Sequence, residues 1–314
     1  MKRCLVCGSK KLSTVLDLGK TALANKFLTK EEIKRKKEKF YSLKLCVCND
    51  CFHVQLDNLI DPKLMFDDYL YISSASTTLV NHLKSLAKEI TRKTSLDKND
   101  LVVDIGSNDG CLLRQFLKIN NKFTLVGVEP AKNLTSLILE KEINCLNNYL
   151  DLDVSNEIVE KFGKAKVITS TNNFPHIHNL DCFMESVENM MHNDGVFVIE
   201  AHYLLDLLQQ FAFDTIYHEH VSYWSLRPMQ RLFKKYNMYI FNVERLPIHH
   251  GQIRVWIKKK TNKTYKVSNS LNNLIKLEEK VGLNDLKTYK TFSEKINSNK
   301  SEFIEKLNEL ISNK

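Results

Sequence analysis

No stretch of this 314-residue chain strings together the roughly 20 apolar residues that a membrane-crossing helix needs, so a bilayer span is not expected. The opening residues, MKRCLVCGSK, lack an apolar core segment, which argues against a secretory signal and for a cytoplasmic protein. No internal repeat is present, and residues 262–314 contain almost no glycine. What remains is ordinary globular material: 43% hydrophobic and 26% charged residues, enough for a substantial core and two domains. The net charge of +9 comes from lysines scattered among Glu, Asp and Asn, the pattern of a solvated surface, so nucleic acid is not the expected partner. Even the basic run KEEIKRKKEKF at 30–40 holds three glutamates and reads as a solvated hairpin or loop.

Four of the eight cysteines form two C-x-x-C pairs near the N-terminus. Outside an oxidising compartment this pattern indicates metal rather than disulfides. Cys4 and Cys7 make one thiolate knuckle, Cys48 and Cys51 the other, and together they complete a tetrahedral zinc site. Gly8 after the first pair and Asn49-Asp50 inside the second suit the tight turns. Cys46 would break the C-x-x-C spacing and is not expected as a ligand. A closed four-sulfur site is structural, holding together a lobe too small to hold itself.

Four regions follow: a zinc-binding ribbon at 1–62, a helical linking segment at 63–98, an alternating strand–helix region at 99–260 and a helical tail at 261–314. The linking segment has helical periodicity from Thr77. In the third region LVVDIG (101–106) reads as a buried strand, residues 111–119 as a helix and TLVGVEP (124–130) as a second strand. A helix is expected over 131–142, a strand over 165–170, a helix over 175–192 and a strand over 195–203. Residues 238–246 and 252–260 alternate as a closing antiparallel pair. The expected fold is α/β, a Rossmann-like parallel sheet preceded by the zinc ribbon and followed by the helical tail.

Asp104-Ile-Gly-Ser-Asn-Asp-Gly110 falls between the first strand and the first helix. Gly106 and Gly110 allow a close backbone approach, and the helix N-terminus offers unpaired N–H groups beside Ser107 and Asn108. The turn departs from the dinucleotide pattern G-x-G-x-x-G. Glu129 ends the second strand, where a carboxylate can accept both ribose hydroxyls of an adenosine. Acid-tipped strand, glycine turn and second acid together look like a class I methyltransferase site for S-adenosylmethionine; the plain alternative is an ordinary strand–turn–helix. Asn172 and Asn173 follow the strand at 165–170, at the edge where open parallel sheets bind ligands. His176 and His178 come next, and a histidine at a helix start is more often a cap or surface residue than a catalyst.

FDTIYHEHVSYWS (213–225) packs two histidines, a glutamate, an aspartate and two tyrosines into thirteen positions. On a strand, His218 and His220 would share a face, but two ligands make an incomplete metal site, so a second metal is not expected. The order of C-x-x-C…C-x-x-C, DDYLYISSAS (67–76), DIGSNDG (104–110), GVEPA (127–131), NNFPHI (172–177), FDTIYHEHVSYWS and LPIHHGQIRV (246–255) resembles that of zinc-ribbon sugar C-methyltransferases, over nearly all of residues 1–260. The resemblance implies an S-adenosylmethionine-dependent enzyme acting on nucleotide-linked 4-keto-deoxysugars, with structural zinc. It implies His220 as general base, Tyr217 and Glu219 as substrate-side partners, Tyr71 reaching in from the linking segment and His176 lining the sugar pocket. Ser74, Tyr223, His249 and Arg254 are the further substrate-binding candidates; His218 receives no role.

Three departures from the family pattern bear on these expectations. Asp104 stands where the family has glutamate. The family's H-G-G-S-L-R appears as His249-His250-Gly251-Gln252-Ile253-Arg254, which leaves the sugar's identity open. The chain also stops near where the family's C-terminal domain is expected to begin, leaving a truncated form, half of a split enzyme with a separate C-terminal-domain partner, or a shortened enzyme. O-methylation of another carbohydrate, nucleic-acid modification and a non-catalytic subunit are the alternative functions.

Overall fold

A computed structural model of the chain describes residues 2–35, 38–248 and 250–312. The N-terminal lobe runs through β1 (Leu12–Thr21), a short helix α1 (Lys30–Lys34), β2 (Tyr41–Cys48) and β3 (Val54–Leu56). Helix α1 stands where the sequence suggests a hairpin or loop. Thr29 and Glu32 form a reciprocal capping box that winds this turn, while Lys36 and Lys37 of the same run lie outside the described residues.

The linking segment holds α2 (Lys63–Phe66) and α3 (Thr77–Thr94). Ser76 caps α3 by accepting the Leu79 N–H, and Leu79, Leu83, Leu86 and Ile90 form its buried stripe. The alternating region follows as β4 (Leu101–Ile105), α4 (Cys111–Ile119), β5 (Thr124–Val128), α5 (Lys132–Thr135), β6 (Ile143–Leu146), α6 (Leu152–Phe162), β7 (Ala165–Thr171), α7 (Leu180–Met190) and β8 (Met191–His202). Then come α8 (Leu204–Gln209), β9 (Ser222–Tyr223), α9 (Leu226–Lys235), β10 (Met238–Leu246), β11 (Gln252–Lys259), α10 (Asn269–Val281) and α11 (Leu286–Ser312).

Three expectations change. The helix expected over 131–142 is one turn, because Thr135 and Ser136 spend their hydroxyls on the Lys132 and Asn133 carbonyls and the chain continues in i→i+3 turns. The short strand β6 and helix α6 stand where no element was expected. The helix at 175–192 begins five residues late, at Leu180, because Asn179 caps it and Phe174–His176 form a separate 3₁₀ turn around Pro175.

The main sheet has the order β10-β11-β8-β7-β4-β5-β6, with β8 through β6 parallel and the β10–β11 hairpin antiparallel against β8. The chain steps outward from β4 through β5 to β6, then crosses back to β7 and β8. That reversal leaves a crevice at the carboxyl ends of β4 and β7, where such sheets bind ligands. This is the expected α/β fold.

A second, antiparallel sheet has the order β1-β2-β3-β9. Its fourth strand is Ser222–Tyr223, so the histidine-rich block is partly knitted into the N-terminal lobe. The C-terminal residues are helical as expected, but they pack: Tyr289, Phe292 and Ile296 of α11 share a core with Leu43, Leu45 and Val54 of the small lobe. Among the described residues, no helix is long and apolar enough to cross a membrane.

Candidate active site

The carboxyl ends of β4, β5, β7 and β8 open into one cavity of about 470 Å³. Its floor is the turn after β4. Gly106 has φ +73°, and a Cβ there would lie 2.6 Å from the Asn173 side chain, so the position admits only glycine. Asp104 is almost fully buried and accepts the Thr169 hydroxyl at 2.7 Å; burial pushes its carboxyl up to about 7, against the pull of that bond. Glu129 accepts the Asn108 and Ala131 N–H groups, each at 2.9 Å. Those two bonds fix the carboxylate and leave lone pairs for further donors such as vicinal hydroxyls. Burial raises its pKa, with the two N–H groups opposing.

Asn108 also fastens the linking segment. Its Oδ1 accepts the Ser73 N–H and its Nδ2 donates to the Tyr71 carbonyl, both at 2.9 Å. Asn133 treats Tyr69 the same way, at 3.2 and 2.9 Å. These two amides tie residues 69–73 over the donor-side turn, which is how Tyr71 and Ser73 come to line the cavity.

At the other end lie three histidines. The His220 ring centroid is 5.1 Å from that of His176 and 4.8 Å from that of His202. His220 Nδ1 is 2.8 Å from the Thr215 carbonyl, which can only accept, so Nδ1 carries the hydrogen. Nε2 is therefore the basic nitrogen, and the Tyr217 hydroxyl donates to it at 3.0 Å. Burial holds His220 well below the usual histidine range, with His176 and His202 adding to the effect. Burial likewise lowers His176 to about 4; its Nδ1 donates to the Glu219 carbonyl at 2.9 Å. Burial raises Tyr217, and Glu219 adds to that.

The candidates sort as follows. His220, Tyr217, His176, Tyr71, Asp104, Gly106, Ser107, Asn108, Glu129, Asn172 and Asn173 line one cavity. Glu219 stands behind it, accepting from Asn25 at 2.7 Å and from the Tyr69 hydroxyl at 3.1 Å. Gly110 lies below the turn against Ile138, and Ser74 is exposed beside Ser73. Tyr223 is buried in β9 opposite Val54. Arg254 does not line the cavity: its guanidinium is buried among Glu200 (2.7 Å), Glu89 (2.6 Å) and Glu244 (3.0 Å). His249 lies outside the described residues. His218 sits outside the cavity with Nε2 3.3 Å from the Ser42 carbonyl, in a turn rather than a strand.

The sequence reading missed His202, Tyr69, Phe66 and Tyr149, all lining the cavity. His202 carried a usable signal, since it ends a parallel strand at the same sheet edge as Asn172. Tyr69 lay within the DDYLYISSAS block, while Phe66 and Tyr149 had none, because their approach depends on the path of the linking segment and of the loop after β6.

In the small lobe, the Sγ atoms of Cys4, Cys7, Cys48 and Cys51 lie within 4.8 Å of one another, with Cys4–Cys51 at 3.5 Å and Cys7–Cys48 at 3.6 Å. Zinc–sulfur bonds of about 2.3 Å in a tetrahedron require sulfurs about 3.8 Å apart, so the four thiolates fit the ion. Cys4 is drawn down to about 6 by the Cys51 thiol, which the same contact pushes up.

Comparison with known proteins finds matches along the chain. Residues 4–66 match a family described as "Putative zinc binding domain", and residues 247–314 match a C-methyltransferase C-terminal domain. The latter match begins ahead of the expected tail and takes in β11, so part of that C-terminal domain is represented. C-methyltransferase NovU of Streptomyces niveus is 31% identical over 253 residues, covering 81% of this chain. This chain spans 60% of that relative's length. Among solved structures, the plantazolicin methyltransferase BpumL with a triazolic desmethylPZN analog and SAH has a TM-score of 0.45 at 11% identity, over 61% of this chain and 88% of that one. An S-adenosylmethionine-dependent methyltransferase from Clostridium acetobutylicum has a TM-score of 0.44 at 15% identity, over 57% and 92%. The methyltransferase-domain profile matches residues 79–243, more than half of the chain and the whole of the cavity's strand edge, and the chain belongs to that methyltransferase family.

Proposed function

We propose that this chain transfers a methyl group from S-adenosylmethionine to the carbon beside the ketone of a nucleotide-linked 4-keto-deoxysugar, in the cytoplasm, with His220 as the base. The observation that carries this reading is the hydrogen bonding of His220: Nδ1 lies 2.8 Å from the Thr215 carbonyl, which leaves Nε2 as the basic nitrogen facing the Tyr217 hydroxyl in the cavity. The NovU relative and the C-methyltransferase match support carbon as the acceptor.

S-adenosylmethionine would supply an electrophilic methyl on a sulfonium centre. Glu129, held by two N–H groups, would accept ribose hydroxyls, while Gly106 and Asn173 shape the floor beside it. At the histidine end a 4-keto group acidifies the neighbouring C–H. When that ketone enters, Tyr217 can turn its hydrogen from Nε2 to the ketone oxygen, freeing Nε2 to take the carbon proton. The developing enolate then keeps the Tyr217 hydrogen bond. Because burial keeps His220 neutral through the physiological range, its basic form is present without a pH rise.

The test is a screen of nucleotide-linked 4-ketosugars with labelled S-adenosylmethionine, followed by solvent deuterium exchange at the carbon beside the ketone. Carbon methylation requires exchange there and O-methylation does not. His220→Asn is expected to lower methyl transfer and exchange by about 100-fold or more. Transfer at the native rate in that variant would remove His220 as the base.

A further inference from the structure

Helix α10 carries a carboxylate where its own periodicity calls for a hydrocarbon. Leu271, Leu274, Ile275 and Val281 recur at helical spacing on the face packed against the core. Glu278 stands on that face and is 5% exposed. A carboxylate so placed is costly unless it is bonded, and this one is. Oε1 accepts the Leu226 N–H and the Tyr203 hydroxyl, both at 2.8 Å, and Oε2 lies 3.1 Å from the Leu226 nitrogen.

Both partners adjoin the histidines. Leu226 opens α9 directly after the 213–225 block, and its N-cap residue Ser225 makes no side-chain cap bond. Glu278 therefore supplies, from another helix, the acceptor that the start of α9 lacks. Tyr203 follows His202 at the end of β8. Its backbone bridges to Trp224, and the Leu204 N–H donates to the Trp224 carbonyl at 2.9 Å. Trp224 in turn stacks on Phe174, two residues before His176, with centroids 4.6 Å apart. One carboxylate thus joins the chain segments that present His202, His220 and His176. Burial raises Glu278 to about 7, with the Leu226 N–H and the Tyr203 hydroxyl holding it lower than burial alone would.

We propose that Glu278 is a positioning residue for the reaction: by capping α9 and gripping Tyr203, it holds the exit of the 213–225 block against the end of β8, so that His220 faces the cavity beside His202. The proposal rests on the reading of His220 as the base, and it gives residues 269–281 a part in the site that none of them touches.

The test uses the full zinc-loaded chain. Glu278→Met keeps the length of the side chain and restores the apolar face, but it leaves the Leu226 N–H and the Tyr203 hydroxyl unpaired, so it is expected to fold with a lowered melting temperature. It removes every acceptor, and is expected to slow exchange of the proton beside the ketone of a thymidine diphosphate 4-keto-6-deoxyhexose by about tenfold. KM is expected to stay within about twofold. In ¹⁵N-histidine spectra, the Nδ1–H signature of His220 should shift. Glu278→Gln retains a carbonyl acceptor and should restore most of both. Tyr203→Phe, which removes one bond and keeps the ring, should slow exchange by about threefold.

A folded Glu278→Met protein with native exchange and an unshifted His220 would overturn the proposal. If that variant does not fold, Tyr203→Phe decides: native exchange and an unshifted His220 there overturn it, and a slowed rate with a shift supports it. If the native protein exchanges no proton of this probe, the base reading is what fails. The His220 spectra of the two variants then decide the positioning role alone, a shift supporting it and none refuting it.

Discussion

Replacing Asp104 by asparagine should stabilise the protein at alkaline pH while leaving it unchanged in acid. In the unfolded chain this carboxyl titrates near 3.8; in the fold burial raises it to about 7. An acid whose folded pKa is raised favours the fold when protonated. Its contribution is therefore fully present below about pH 4 and is lost as the pH climbs to about 7. Three units at about 1.4 kcal/mol each make the loss about 4 kcal/mol, an order-of-magnitude figure. The amide of Asp104→Asn would not titrate, and its carbonyl could still accept the Thr169 hydroxyl now bound at 2.7 Å. The variant should then exceed the native protein by about 2–4 kcal/mol at pH 8 and match it near pH 4. Urea unfolding followed through Trp224 and Trp256, both fully buried, measures this at a series of pH values. Glu278 titrates in the same window in both proteins, so the difference between them isolates Asp104. Parallel stability curves from pH 4 to pH 8 would refute the argument. The same substitution should weaken donor binding, since Asp104 lines the cavity, and stability and function would then pull in opposite directions at one residue.

Asn108→Gly keeps the left-handed backbone (φ 53°) but deletes the two amide bonds to Tyr71 and Ser73; at about 1 kcal/mol each, KM should rise by up to about 30-fold in steady-state kinetics, with a modestly lowered melting temperature. Arg254→Met leaves Glu200, which is fully buried, without its guanidinium, and should cost about 3–5 kcal/mol in denaturant unfolding, most of it recovered by adding Glu200→Gln. Metal analysis of protein purified without chelators should find about one zinc per chain. Its removal should abolish methyl transfer although no cysteine of the cluster lines the cavity.

Periodicity and punctuation exposed most of the sheet. Residues 101–105 read as a strand because four of the five are apolar, as a central parallel strand requires, with Asp104 next to its end. The hairpin at 238–259 read correctly from its alternation. β6 escaped because four residues, INCL, of which only Ile143 is buried, carry too little pattern at a sheet edge. The helix over 131–142 was over-read because its leucines suggest helix, while Thr135 and Ser136 compete locally for the backbone. In the cavity, the glycine turn and Glu129 were legible, since strand ends of a parallel sheet converge by topology. Arg254 was misplaced for a converse reason: a motif fixes which residue is present, not which side of the strand it faces. Whether it meets a sugar or Glu200 depends on the register of β11 against β8, where Arg254 sits opposite Glu200.

That dependence on register is strongest in the 213–225 block. Its histidines cannot be assigned from spacing, because the turn at 217–220 breaks the alternation a strand would impose. What orients them is pairing at a distance. Ser222 and Tyr223 join Gln55 and Val54, the Leu56 N–H donates to the Val221 carbonyl at 3.0 Å, and His53 Nε2 lies 3.2 Å from the Ser222 hydroxyl. His53 is two residues beyond Cys51, so the zinc knuckle sets the strand edge on which the block is laid. On the other side Glu278 holds the block's exit. The imidazole at 220 is therefore aimed by two elements, the zinc knuckle ahead of the methyltransferase sheet and helix α10 behind it, neither of which lines the cavity. A metal site far from the chemistry and a carboxylate on an apolar helix face act on the same short turn. This is why the zinc lobe and the C-terminal helices belong to the working unit, as its positioning frame.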